Sequence, residues 1–242
     1  MESSQTALKA ITSGAFAAAL VALLPIYRER HGVAVDLSFG SSLGAAHDSI
    51  PTRLSQGERF DLYFMAREAV DQFTAQGYIR ESDGFDLVES YIGAAVRTED
   101  PAPDIGTADA LKKTLLAAKS VAHAASVSGI YISTELFPAL GIAKEMKKTA
   151  RTIFSERVGT VVARGDADLG FQQVSELLPI EGVKVIGRLP EPYQHCYRFC
   201  VALDARSDNV EEARRLLRFV ASEDAAPIIR ATGLEPLFPT IE

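Results

Sequence analysis

The chain has 242 residues, 47% of them hydrophobic, and a formal charge of −7 from 25 basic and 32 acidic side chains. That length buries one large core or two smaller ones. The acidic balance argues against a DNA or RNA partner, whose phosphates demand a basic excess. No uninterrupted apolar run approaches the roughly 18 residues of a membrane span.

Residues 8–12 read as a short apolar strand. Ser13-Gly14 breaks it, and an Ala-rich helix follows to about Arg30, closed by His31-Gly32 because glycine suits the position past a helix C-terminus. Residues 33–39 alternate as a second strand. Gly40-Ser41-Ser42 interrupts, and the pattern predicts a helix over 43–55. A third strand spans 60–65, and a helix over 68–76 stops at Gly77. Strands alternating with helices argue for a parallel sheet covered by helices on both faces. Ligands in such sheets lie beyond the carboxyl ends of the strands, where Ser13-Gly14 and Ser41-Ser42 both fall.

A strand over 88–97 leads to the polar, proline-broken loop 99–104. A helix spans 107–119, with Thr107 as its N-cap, and a strand spans 120–124. Ser126-Val127-Ser128-Gly129 is a small-residue turn opening a helix over 130–140. A helix over 158–164 and strands over 167–172 and 183–186 follow. Pro190-Glu191-Pro192 punctuates the chain before a long strand over 193–203. Helices over 209–221, strongly amphipathic, and 223–231 complete it. In a straight strand Cys196 and Cys200 would lie about 13 Å apart, too far for a disulfide, so they read as packed thiols. Residues 1–6 lack a basic segment followed by an apolar one, unlike a signal peptide. The protein is cytoplasmic if Met1 is its native start and periplasmic if a leader has been removed.

The order implies an α/β fold of two lobes, each a mixed sheet flanked by helices. One lobe is discontinuous, residues 1–88 and 196–242; the other is 89–195. Extended crossings near 88–94 and 191–197 act as a hinge, with the ligand cleft between the lobes.

Ile11-Thr12-Ser13-Gly14-Ala15, Leu37-Ser38-Phe39-Gly40-Ser41-Ser42, Asp61-Leu62-Tyr63-Phe64, Ser128-Gly129-Ile130-Tyr131 and Arg164-Gly165-Asp166-Ala167-Asp168-Leu169-Gly170-Phe171 occur in the order seen in molybdate-binding periplasmic proteins. The resemblance covers about 8–236 and implies the two-lobed type II periplasmic-binding-protein fold. One segment departs from it. Those proteins usually carry an oxyanion-donating tyrosine shortly after the Gly-Phe pair, where this chain reads Gln172-Gln173-Val174-Ser175-Glu176. The Gly-Phe-Gln-Gln-x-Ser-Glu-Leu string, with Leu136-Phe137-Pro138 and the 158–165 segment, resembles a divergent branch that includes bacterial aconitate isomerase.

That resemblance implies a small anionic ligand held by Ser13, Gly14, Ser41, Ser42, Ser128, Gly129 and Gln172. Each serine taken alone is an ordinary N-cap. Three at equivalent strand ends point to anion binding by helix N-termini. A polycarboxylate also calls for an arginine fork, for which Arg67, Arg157 and Arg53 are candidates, although each also suits a solvated surface. Moving a C=C bond between carbons next to carboxylates requires a base and an acid but no metal and no cofactor. His47 or His123 is the candidate base, and Tyr131 or a desolvated Glu156 the candidate acid. Two functions follow: an isomerase of cis/trans-aconitate type, or the solute-binding subunit of an ABC importer for an oxyanion or organic acid. Only the second needs a membrane permease as partner.

Overall fold

The computed structural model describes residues 7–44, 46–154 and 156–241. The chain divides into two compact units, Met1–Glu89 with Tyr197–Glu242, and Ser90–Cys196.

In the first unit β1 (Leu8–Thr12) lies between two parallel neighbours, β2 (Val35–Phe39) and β3 (Leu62–Ala66). Strand β9 (Cys196–Asp204) runs antiparallel to β3, placing Phe64 opposite Val201. The interior strand β3 is apolar and fully buried, as a strand covered on both faces must be. Helix α1 (Gly14–His31) follows β1 directly. Phe16 stacks on Phe64 with ring centroids 5.4 Å apart. Gly32 ends the helix in the left-handed conformation, its N–H donating to the Arg28 carbonyl at 2.8 Å. Helix α2 (Ile50–Ser55) and helix α3 (Arg67–Ala75) come before and after β3. Helix α10 (Val210–Val220) buries Ala213, Leu216, Leu217 and Val220. It is tied to α1 by the Tyr27 hydroxyl donating to Glu212 at 2.7 Å. Helix α11 (Ala226–Ala231) precedes the two-residue strand β10 (Glu235–Pro236).

Strand β4 (Ile79–Arg97) begins in the first unit, where Val88 and Glu89 pair with β10, and ends in the second. In the second unit its last residues pair antiparallel with β7 (Leu169–Gln173) and β8 (Val183–Arg188). Strand β5 (Val121–Ala124) lies parallel to β7 and to β6 (Ala150–Ile153). Helix α4 (Ala108–Ala117) is capped by the Thr107 side chain, which accepts from the Ala110 N–H at 3.1 Å. After β5 the chain turns into α5 (Val127–Tyr131), passes through a π-turn (Ile132–Leu136), and continues as α6 (Phe137–Ala139). Helices α7 (Ala143–Thr149), α8 (Val158–Ala163) and α9 (Val174–Leu177) complete the unit.

The expected α/β class, mixed β-structure flanked by helices, is the class observed, with the strands hydrogen-bonded into one mixed sheet in place of the two expected. Three local expectations are corrected. The helix expected over 43–55 exists only from Ile50, because Gly44 is left-handed at φ 99° and Ser49 caps α2 by accepting from Thr52 at 3.3 Å. Helical structure after β5 starts at Val127, earlier than the expected 130. The strand expected over 88–97 starts at Ile79. Helices α7 and α9 and strand β6 had no strong sequence signal. Cys196 and Cys200 are not bridged, and the Cys200 thiol donates to Asp86 Oδ1 at 3.2 Å.

Candidate functional site

In the first unit the carboxyl ends of β1, β2 and β3 carry polar groups left over after the fold has satisfied itself. Ser13 occupies the N-cap of the 18-residue α1, yet its side chain makes no capping bond. Its Oγ is buried and has no partner among the described residues. The first turn of α1 has no acidic residue to offset the positive end of the helix dipole. Ser42 is buried, and its Oγ accepts the Ala66 N–H at 2.9 Å. A hydroxyl used as an acceptor keeps its proton for donation. Ser41 instead spends its proton on the Leu43 carbonyl at 2.9 Å.

In the second unit the chain turns sharply after β5. A Cβ on Gly129 would sit 1.6 Å from the Ala124 carbonyl oxygen, so only glycine fits there. This close turn buries Ser128 completely, with its Oγ 3.2 Å from Ser126 Oγ. At the end of β7 two glutamines take different partners. Gln172 Oε1 accepts the Val158 N–H at 2.9 Å and so caps α8. Gln173 Oε1 accepts the Ser90 hydroxyl at 2.8 Å, while its Nε2 has no partner among the described residues. Ser175 Oγ, equally buried, is also unpartnered there. Unsatisfied buried donors are costly and scarce in native folds, so such a group is a pointer to a ligand.

Beside them stands Glu176, at the start of α9. Burial pushes its carboxyl up to about 7, against the opposing pull of Arg157 and of hydrogen bonds from the Gln172 side chain and the Gln173 backbone.

A family model described as bacterial extracellular solute-binding protein matches residues 8–235. The chain belongs to that family. Within and around it, the sequence is 39% identical over 232 residues to an aconitate isomerase from a Pseudomonas species, covering 96% of this chain and 88% of that one. The fold matches the periplasmic molybdate-binding protein of Azotobacter vinelandii with a TM-score of 0.73 at 19% identity, covering 96% and 100% of the two chains. It also matches the sulfate-binding protein SubI of Mycobacterium tuberculosis with a TM-score of 0.72 at 16% identity, covering 98% and 89%.

On this solute-binding fold the expected site residues fare unequally. Gly14 opens α1, and Gly129 lies in α5 beside Ser128. Arg157 is half-buried at the N-cap of α8. Arg53 is committed elsewhere: its guanidinium pairs with Glu58 at 2.7 Å and lies 5.2 Å over the Phe60 ring. Arg67 is likewise paired, with Asp86 and, at 3.6 Å, Asp71. Asp86 also receives Arg198 at 3.0 Å. Burial raises the Asp86 carboxyl, but the arginines and the Cys200 thiol outweigh it and hold the group ionised.

His47 is exposed in the loop before α2. His123 is buried on β5, its ring edge-on to Phe137 at 6.2 Å, and burial pushes it below its ordinary value. The Tyr131 hydroxyl donates to the Tyr193 carbonyl at 2.8 Å, and burial first, then Glu135, keep it protonated. Glu156 is not the desolvated acid expected. It is exposed, bonded to Arg164 at 2.7 Å, and held below the usual carboxylate range by that hydrogen bond.

Sequence reasoning did not single out Gln173, Ser175 or Glu176 as site residues. The available signal was the departure from tyrosine at this segment, which marked a changed environment without saying which side chain mattered.

Proposed function

We propose that this protein binds a small unsaturated polycarboxylate and isomerises it by allylic proton transfer, with cis- and trans-aconitate as the substrate pair. The observation that carries this reading is the 39% identity to the Pseudomonas aconitate isomerase along nearly the whole chain. Identity at that level over 232 residues extends well beyond the shared fold, which the molybdate- and sulfate-binding neighbours reach at 19% or less.

The chemistry suits the available groups. One C–H bond next to the double bond breaks and another forms at the far carbon, so no electron donor or acceptor is consumed. The charge that develops on a substrate carboxylate needs neutral donors aimed at it. Each unit taken by itself retains uncommitted donors, Ser13 and Ser42 in the first and Gln173 and Ser175 in the second. Arg157 supplies the charge complement that a polyanion needs. The Gln172-Gln173 segment, standing where molybdate binders carry a tyrosine, fits a carboxylate ligand better than a bare oxyanion.

A second reading rests on the family model over residues 8–235: a passive solute-binding subunit that delivers an organic acid or oxyanion to a permease. A proton NMR time course with cis- and with trans-aconitate separates the two. It is run alongside thermal shifts with molybdate, tungstate and citrate. Conversion of one isomer into the other supports the isomerase. Binding without conversion supports the importer subunit, and a shift with molybdate and tungstate alone removes both carboxylate readings.

A further inference from the structure

Gln173 is 1% exposed and stands opposite Ile92 in the antiparallel ladder of β4 and β7. Ser90, two residues back along β4, shares the face of Ile92 and is 0% exposed. Such a diagonal pair lies about 7–8 Å apart, within reach of a long side chain. Glutamine bridges that gap, and the Ser90 hydroxyl donates to Gln173 Oε1 at 2.8 Å. The amide oxygen is thereby satisfied. The amide nitrogen, with two protons to give, has no partner among the described residues. Two positions further on, Ser175 is also 1% exposed, and its Oγ is unpartnered there too. All of these residues belong to the second unit.

We propose that Ser90 is a positioning residue, holding the Gln173 amide so that its nitrogen donates to a carboxylate of the ligand. This rests on the carboxylate ligand of the reading above and adds the residue that sets the donor's direction. A primary amide is an acceptor at one end and a donor at the other. Turned over, it would face an anion with its carbonyl oxygen, and the two would repel. The single Ser90 proton, spent on Oε1, holds the amide the other way round. Ser90 itself need not touch the ligand.

The neighbouring glutamine shows what a purely structural role looks like. Gln172 faces the other side of the sheet, where its oxygen accepts the Val158 N–H at 2.9 Å, and its nitrogen is not among the unpartnered atoms. Gln173 is the member of the pair with a donor to spare. A buried donor without an acceptor is costly to the fold. A ligand carboxylate removes that cost and replaces it with a charge-assisted hydrogen bond, stronger than a neutral one. The arrangement therefore selects for an acceptor-only group at this point.

The test is a double-mutant cycle on calorimetric affinity for trans-aconitate, with wild type, Ser90→Ala, Gln173→Met and the double variant. Gln173→Met removes a hydrogen bond to a charged group and is expected to weaken binding about thirtyfold, and Ser90→Ala about tenfold. Because Ser90 acts through Gln173, the double variant should bind within about twofold of Gln173→Met alone, whereas independent effects would multiply to about three-hundredfold. Multiplying effects, or a Ser90→Ala affinity within about twofold of wild type, overturn the proposal. If a variant does not fold, the side-chain NH2 signals of Gln173 in 15N-labelled wild type decide. They should shift on saturation with trans-aconitate, and signals that stay in place overturn the proposal. A wild type that does not bind trans-aconitate overturns the isomerase reading and this inference together. Binding without conversion overturns the isomerase reading alone, and the cycle still decides the role of Ser90.

Discussion

Gly129→Ala should be among the most damaging single-methyl additions in the second unit. The added Cβ would lie 1.6 Å from the Ala124 oxygen, 2.7 Å from its carbonyl carbon and 3.0 Å from its nitrogen, where ordinary contact begins at 3.4 Å. All three atoms are backbone, so no side chain can swing aside, and the carbonyl must retreat by nearly 2 Å. It has little freedom to do so. Ala124 ends β5, an interior strand held by β6 on one side and β7 on the other, and the next N–H donates to Ile153 at 2.8 Å. Overpacking of this kind costs about 3 kcal/mol, which for a chain this size lowers Tm by roughly 6–12 °C. The assay is thermal and urea unfolding beside Gly106→Ala, whose Cβ meets only the Asp104 side-chain oxygen at 3.3 Å. The same shift would move Ser128 and weaken ligand binding. A Gly129→Ala protein that melts within about 1 °C of Gly106→Ala would refute the steric reasoning.

Ser13→Ala removes a buried hydroxyl that caps nothing. Stability should therefore hold or rise by up to about 1 kcal/mol, instead of falling by the usual N-cap loss. Affinity for trans-aconitate should drop about tenfold, and a normal cap penalty in urea unfolding would contradict this. Tyr131→Phe deletes the 2.8 Å bond to the Tyr193 carbonyl and should cost about 1 kcal/mol. It should change kcat less than tenfold, since that proton is already committed; a loss of turnover would restore Tyr131 as the acid. Asp204 accepts the Arg206 N–H, Nε and Nη2 at 2.8, 3.0 and 2.8 Å, with the Tyr63 hydroxyl also donating. Burial raises this carboxyl, but those bonds prevail and depress it. Its contribution is therefore fully present above the unfolded pKa of about 4 and is lost as pH falls through the folded value. Asp204→Asn should lower stability by roughly 1–3 kcal/mol at pH 7 and flatten the acid limb of the stability curve. An unchanged acid limb would count against it.

Much of the fold was legible because its signals are local. Gly32 and Gly77 stop helices, Thr107 starts one, and β1 is bounded as its apolar run suggests. Where signals failed, the deciding partner was distant in sequence or the local rule was overridden. Leucine, alanine and histidine after Ser42 suit a helix, but left-handed Gly44 and the Ser49 cap hold the chain in a loop. The first half of β4 is rich in polar residues, so its strand character does not appear as an apolar run. The arginines show the same divide. The resemblance made them candidate carboxylate partners, and only the tertiary structure showed that Asp86 and Glu58 had already taken Arg67 and Arg53.

The small-residue breaks at Ser13-Gly14, Ser41-Ser42 and Ser128-Gly129 were determined by the sequence alone, because a chain leaving a strand for a tight turn advertises it in residue type. Which of those hydroxyls stays unsatisfied was decided by tertiary structure, since that depends on where Ala66, Leu43 and Ser126 come to rest. The same holds for Glu176. An acid in this segment is unremarkable in sequence, and only the folded surroundings, which leave it partly exposed, raise its affinity for a proton.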